Sequence, residues 1–170
     1  GSKVTVPGTG VLLNNTQQMF DPHPGHALSV QPGKRVTSSM SPVIVMREGL
    51  PEFAVGLPGG VRIFTSVFQA IVNLIDHEMS VQEAVEAPRV WTQGQEVELE
   101  TGISELVMDQ VAEKGHRVMP VNAIGGGMSI VRFEPGGLLS GASCWRADGH
   151  AVGIGGGFAR SGVRFRPSVG

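Results

Sequence analysis

Gly59 and Gly60 stand where an apolar run, Phe53-Ala54-Val55-Gly56, gives way through Leu57-Pro58 to a helix-like run. The first N–H groups of a helix have no intrahelical acceptor, and the helix dipole places positive potential on them. Two adjacent glycine amides at such a corner can hold an anion, and with no Cβ a substrate can approach closely enough for them to stabilise an amide's tetrahedral oxyanion. A plain Pro-Gly-Gly turn is the alternative reading of the same residues. Phosphate binding fits poorly, because a P-loop continues with Gly-Lys-Ser/Thr and Val61-Arg62 stands here. The second candidate is Ser38-Ser39, between the basic turn Pro32-Gly33-Lys34-Arg35 and the apolar strand that starts at Pro42. Paired hydroxyls can donate to a substrate carboxylate, and they can equally cap local backbone groups.

Other polar side chains carry less. His23 and His26 have a spacing that could suit a metal, but with no cysteine or further histidine nearby they read as solvent-facing loop residues, and no metal is assigned. His77 reads as a complement to the helix dipole, and Cys144 and Trp145 as packing residues. The net charge of −2 over 170 residues, with dispersed Lys and Arg, disfavours nucleic acid and anionic membranes as partners and suits a small molecule. One cysteine allows no internal disulfide and leaves the compartment unknown, periplasmic or cytoplasmic. No apolar run reaches the roughly 18 to 20 residues needed to cross a bilayer, so a soluble chain is expected.

These candidates need elements to place them. Val11-Leu12-Leu13 is expected as a short buried strand, and 16–34 as a long loop rich in Pro and Gly. Residues 42–46 and 53–56 predict a hairpin of central strands, and Ile63, Val67, Ala70, Ile71, Leu74 and Ile75 predict a long helix ending near His77. Ser80 with Glu83 predicts a capping box opening a short helix that stops before Pro88. Strands are further expected over 96–100, 117–121, 128–133 and 138–142, with an amphipathic helix over 104–114 closed by Gly115. Paired strands with interleaved helices and no βαβ alternation point to an α+β layered fold in one domain over 1–170. Within it, 144–170 is expected as an extended C-terminal arm, with Gly155-Gly156-Gly157 for close packing.

Taken in order, these segments resemble the small subunit of the γ-glutamyltranspeptidase superfamily. The resemblance rests on Thr9-Gly10-Val11-Leu12-Leu13-Asn14-Asn15, Pro32-Gly33-Lys34-Arg35, Ser38-Ser39-Met40-Ser41-Pro42 and Gly56-Leu57-Pro58-Gly59-Gly60-Val61-Arg62-Ile63. It continues through Gln69, Asn73, Ile75-Asp76, the run from Gln82 to Arg89, and Gly141-Ala142-Ser143. It implies an Ntn-hydrolase αββα sandwich, completed by N-terminal strands and a large subunit from the same self-cleaving precursor. It also implies an N-terminal threonine that is both nucleophile and, through its amine, base. The chain opens at Gly1, beyond the place of that threonine, so the nucleophile is expected outside it. Thr5 and Thr9, being internal, have no free amine.

By the same resemblance Gly59 and Gly60 form the oxyanion hole, and Ser38 and Ser39 bind the substrate carboxylate. Thr16 and Met19 stand where γ-glutamyl enzymes carry acidic or amide side chains for the substrate ammonium, and Asp21 is an alternative that could shift into that role. The wording from Met19 to Gly25 is similar to the oxamate amidohydrolase-like and cephalosporin acylase-like branch. Amide hydrolysis or acyl transfer without a cofactor is the activity implied. A non-catalytic binding or structural subunit is the competing reading, motivated by the missing nucleophile and by Thr16 and Met19.

Overall fold

The computed structural model describes residues 2–153, which divide between Ser38 and Ser39 into two units. In the first, Val6 N–H donates to Val11 O at 2.9 Å and Leu13 N–H to Val4 O at 2.9 Å, around a turn with Gly8 and Gly10 at positive φ. The expected buried strand is here a single bridge, Thr5 with Leu12, and Val11, Leu12 and Leu13 are all exposed. One bridged pair has no second layer in its unit to bury its apolar side chains against. A 3₁₀ turn, Thr16–Met19, is the only helix in the long loop.

The second unit is built on an antiparallel sheet with strand order β1-β2-β6-β7, from Val43–Arg47, Leu50–Gly56, Ser129–Phe133 and Leu139–Ser143. Glu48 and Gly49 close the β1–β2 hairpin with φ of 51° and 81°, the two positive values that a type I′ turn requires. Strand β2 is central as expected, whereas β1 lies at the sheet edge.

Alternation divides the residues of this sheet between two faces. Phe53, Val55, Ile130 and Ala142 point into a core shared with α1 (Ile63–Ile75) and α2 (Val81–Glu86). Ile63, Val67, Ala70 and Leu74, spaced at helical intervals, are the buried apolar stripe of α1. On the other face Ile44, Val131, Phe133 and Leu139 are exposed, an apolar surface of the kind that a second sheet covers in a sandwich.

A second, three-stranded sheet has the order β3-β4-β5, from Val90–Thr92, Val97–Glu100 and Val118–Val121. Strands β4 and β5 are parallel and joined through α3 (Glu105–Glu113), so the fold does contain one βαβ unit, contrary to expectation. A three-residue strand such as β3 carries too short a pattern to be read from sequence. Helix α3 buries none of its residues. The start of the expected arm is a compact 3₁₀ turn, Trp145–Ala147, with Arg146 buried; 154–170 lie outside the described residues.

At the entry to α2 the Ser80 hydroxyl accepts from Glu83 N–H while the Glu83 carboxylate accepts from Ser80 N–H, completing the capping box. Ser80→Ala is expected to lower unfolding stability by about 1 kcal/mol in urea titrations, with the fold retained.

Candidate active site

The Gly59–Gly60 corner follows β2 directly. Gly59 has φ +156° and Gly60 φ +60°, and the 3₁₀ turn Gly60–Arg62 runs straight into α1. The two glycines are required for different reasons. A Cβ on Gly59 would lie 2.9 Å from Gly125 Cα, whereas one on Gly60 would meet nothing within 4 Å, so there the backbone angle is the constraint. Among the described residues, neither the Gly59 nor the Gly60 N–H donates to another backbone group. The corner therefore combines adjacent unpaired donors with the positive end of a 13-residue helix, the arrangement that stabilises an oxyanion.

Two devices hold this corner in place. Arg62, the residue before α1, makes a two-pronged ion pair with Glu98, from Nη2 to Oε1 at 2.8 Å and from Nε to Oε2 at 3.2 Å. Its guanidinium also lies 4.0 Å from the ring centroid of Trp91, the cross-strand neighbour of Glu98. Two turns later, the Gln69 side-chain amide exchanges both hydrogen bonds with the backbone of Val90, each 2.8 Å. The head of α1 is thereby tied to the three-stranded sheet.

The second device is a buried charge cluster. Glu100, 2% exposed, accepts from Arg89 N–H at 2.9 Å, Ile124 N–H at 2.6 Å and Arg146 Nε at 2.8 Å, and also from Arg146 Nη2. The Arg89 guanidinium donates from Nη1 to Ile124 O at 2.9 Å and Gly126 O at 3.1 Å, and from Nη2 to Val85 O and the buried Cys144 Sγ. Burial, then the nearby Arg146 cation, push the Arg89 pKa down to about 10, which leaves it charged at neutral pH. Burial also pulls on Arg146, but its hydrogen bonds to Glu100 and that carboxylate's charge outweigh it and hold Arg146 above its ordinary value. Removing the carboxylate would strand two buried guanidiniums. Glu100→Gln is expected to lower stability by about 3 kcal/mol or more, read as a drop in the urea midpoint.

Ser38, the last residue of the first unit, is exposed, and Ser39, the first of the second, is half-buried, with its carbonyl accepting from the Ser41 hydroxyl at 3.1 Å. Thr16 opens the 3₁₀ turn with its N–H on Asn14 Oδ1, and Met19 closes it half-buried. Asp21 is occupied: one carboxylate oxygen accepts from His23 N–H at 2.8 Å and lies 2.9 Å from His23 Nδ1, and the other meets His26 Nδ1. The two histidines are thus partners of Asp21 and not merely solvent-facing. Among the described residues no group of three or more His, Cys, Asp and Glu side chains is arranged to hold a metal ion. Nor is any helix there long and apolar enough to cross a membrane.

Bonds to His26 first, then to the His23 backbone and ring, hold the Asp21 carboxyl below its ordinary value. A group whose folded pKa lies below its unfolded one adds stability that is complete above the unfolded value and is lost as pH falls through the folded one. The Asp21 carboxyl 13C shift is expected to keep its ionised value to a lower pH than that of an ordinary exposed carboxylate, and to move only in the acid transition in which this stability is lost. Asp21→Asn should remove that contribution.

The glycine corner is legible in the sequence, and its supports are not. The match of Trp91 to Glu98 across β3 and β4 depends on a strand too short to read. Arg89 and Arg146 lie 57 residues apart, which places their meeting at Glu100 beyond any local pattern.

Over 165 residues the chain is 56% identical to the acylase ACY 1 proenzyme of Pseudomonas sp. (strain SE83), covering 97% of this chain and 30% of that precursor. It is 38% identical to the glutathione hydrolase proenzyme of Bacillus subtilis (strain 168) over 157 residues, 91% of this chain and 27% of that one. The chain thus spans about 30% of the length of the acylase precursor it matches, and the acylase alignment runs into the tail beyond Ser143. Among solved structures, cephalosporin acylase from Bacillus halodurans superposes with a TM-score of 0.83 at 30% identity, over 92% of this chain and 30% of that one, which places the α+β fold among the Ntn hydrolases. Residues 1–154 match the gamma-glutamyltranspeptidase family, and the chain belongs to that family.

Proposed function

We propose that this chain is the oxyanion-binding part of an N-terminal-threonine amidohydrolase or acyltransferase of the acylase type, with 1–170 forming one domain of its small subunit. The observation that carries this reading is the Gly59–Gly60 corner, with two unpaired adjacent amides at the head of α1 in a chain of this family. In the complete protein the threonine, supplied from outside these residues, attacks the amide carbonyl while its α-amine takes the hydroxyl proton. The Gly59 and Gly60 N–H groups receive the oxyanion. Collapse releases the amine and leaves an acyl-enzyme, which water or a second amine resolves. Ser38 and Ser39 donate to a carboxylate on the substrate. The partner is the large subunit cut from the same precursor, and no cofactor takes part.

Two observations favour an acylase-type substrate over a γ-glutamyl one. Identity to the acylase precursor is 56% against 38% to the glutathione hydrolase. Asp21, the carboxylate in sequence reach of the ammonium position, is already engaged by His23 and His26, and Thr16 and Met19 carry no charge to replace it. A buried ammonium without a charged partner forfeits a charge-assisted bond.

The test assays the complete processed protein on a γ-glutamyl anilide, on oxamate and on an N-acyl cephalosporin. Turnover of the cephalosporin amide is expected to exceed that of the anilide, and the opposite order would reject the acylase assignment. Gly60→Pro removes one oxyanion donor and is expected to lower kcat by about 100-fold or more. Full turnover in that variant would sink the oxyanion role. N-terminal sequencing of the native small subunit separates the enzyme from a non-catalytic binding subunit: a threonine upstream of Gly1 is expected, and its absence from the encoded precursor would leave the binding subunit.

A further inference from the structure

The three glycines between β5 and β6 have no place in the mechanism above, yet each faces a close contact. Gly126 N–H donates to Pro58 O at 2.7 Å, and a Cβ on Gly126 would sit 2.6 Å from that same oxygen and 2.8 Å from Pro58 Cγ. Gly125 has φ +71° and packs its Cα against Gly59. A Cβ on Gly127 would fall 2.3 Å from that of Ala147, the neighbour of Arg146. The loop is pressed onto the two residues that lead into the oxyanion corner.

What presses it there is Arg89, which clamps the loop's carbonyls at Ile124 and Gly126 and is itself seated through Glu100 against Arg146. Ile124 N–H, bonded to Glu100, closes the circuit. A side chain 3% exposed with both hydrogen-bonding faces engaged has little freedom to shift. A displacement of Gly126 must therefore pass directly to Pro58 and Gly59.

We propose that Arg89 and Gly126 are positioning residues for the oxyanion corner: Arg89 fixes the Gly125–Gly127 loop, and the loop fixes the direction in which the Gly59 and Gly60 amides point. The inference rests on the oxyanion reading of that corner. Such residues touch no substrate, and their loss is felt in the transition state rather than in ground-state binding.

Gly126→Ala and Arg89→Lys, made in the complete protein, separate this role from a merely structural one. Gly126 has no positive φ, so alanine there adds only the clash with Pro58. Lysine keeps the charge at Arg89 and gives up the planar two-carbonyl clamp. Gly141→Ala is the control, since its added Cβ would meet only ordinary contacts at 3.6 and 3.8 Å. A variant that accumulates uncut is prepared by co-expressing its two mature subunits, so that kcat is read in every case. The amide turned over best by the parent is the substrate, and hydrogen exchange of 57–63 is followed beside that of the β1–β2 hairpin.

Expected for both variants is a kcat lowered by about tenfold or more with KM within about twofold, and faster exchange confined to 57–63. The control should match the parent in all respects. Unchanged kcat in Gly126→Ala, or a rise in KM alone, overturns the proposal, as does exchange that rises equally in the hairpin. If the parent turns over none of the three amides, the functional reading fails. Exchange then decides the positioning claim by itself, with selective loosening of 57–63 upholding it and unaltered exchange rejecting it.

Discussion

The Glu100 carboxylate is the contact on which the second unit turns. An ionised carboxyl withdrawn from water is costly unless its lone pairs are filled, and here four donors fill them: two backbone N–H groups and two guanidinium nitrogens. Those donors come from the segment after α2, the loop after β5 and the turn after β7. A hydrophobic group of equal volume could match it for stability, but it could not dictate the angular relation of three chain segments. Main-chain carbonyls at Val85, Ala87, Ile124 and Gly126 accept further N–H groups of the two guanidiniums. Those carbonyls are fixed in turn by the charges.

A site made of backbone amides needs such support from outside. A catalytic side chain can be steered by its rotamer, whereas a peptide N–H points wherever φ and ψ send it. At the corner, φ values of +156° and +60° lie where no ordinary side chain holds the chain comfortably. Glycine permits those angles without enforcing them. Enforcement comes from two sides: Arg62 on Glu98 and Trp91 secures the helix that follows, and the Gly125–Gly127 loop braces the residues that precede. Preorganised dipoles lower a barrier only if they do not reorient when charge appears, so the rigidity of these neighbours bears on the chemistry itself.

The sequence exposed some of this readily. Helix α1 declared itself through apolar residues at helical intervals, α2 through its Ser80 and Glu83 box, and the hairpin through a Glu48-Gly49 turn between two apolar runs. The glycine corner was legible because strand pattern, helix pattern and Gly-Gly meet at one place. Its braces were not, because they depend on residues brought together from up to 61 positions apart, and a lone arginine looks the same whether it ends in water or in the core. The edge position of β1 and the parallel pairing of β4 with β5 follow from tertiary order, about which alternation is silent. Val11, Leu12 and Leu13 misled for the opposite reason: an apolar triplet signals burial, but a single bridge gives its unit no second layer to bury it against.

The division of labour along the chain follows from the same physics. Oxyanion stabilisation is common to every amide, so the residues proposed to provide or brace it can be locked, and Gly59, Gly60, Arg89 and Glu100 lie together in the unit built on the four-stranded sheet. Selection among amides depends on what accompanies the carbonyl, and most of the residues proposed for it, from Thr16 to Ser38, lie in the other unit, whose hydrogen bonds are largely local turns. There Asp21 spends its charge on His23 and His26, and closes the loop by taking Val30 N–H on its own carbonyl. A carboxylate committed in this way stabilises the loop instead of a ligand. Recovering it for a substrate ammonium would mean breaking contacts with two imidazoles and one backbone amide, so a change of specificity toward γ-glutamyl amides would need a new acidic residue near Thr16 or Met19, leaving Asp21 where it is.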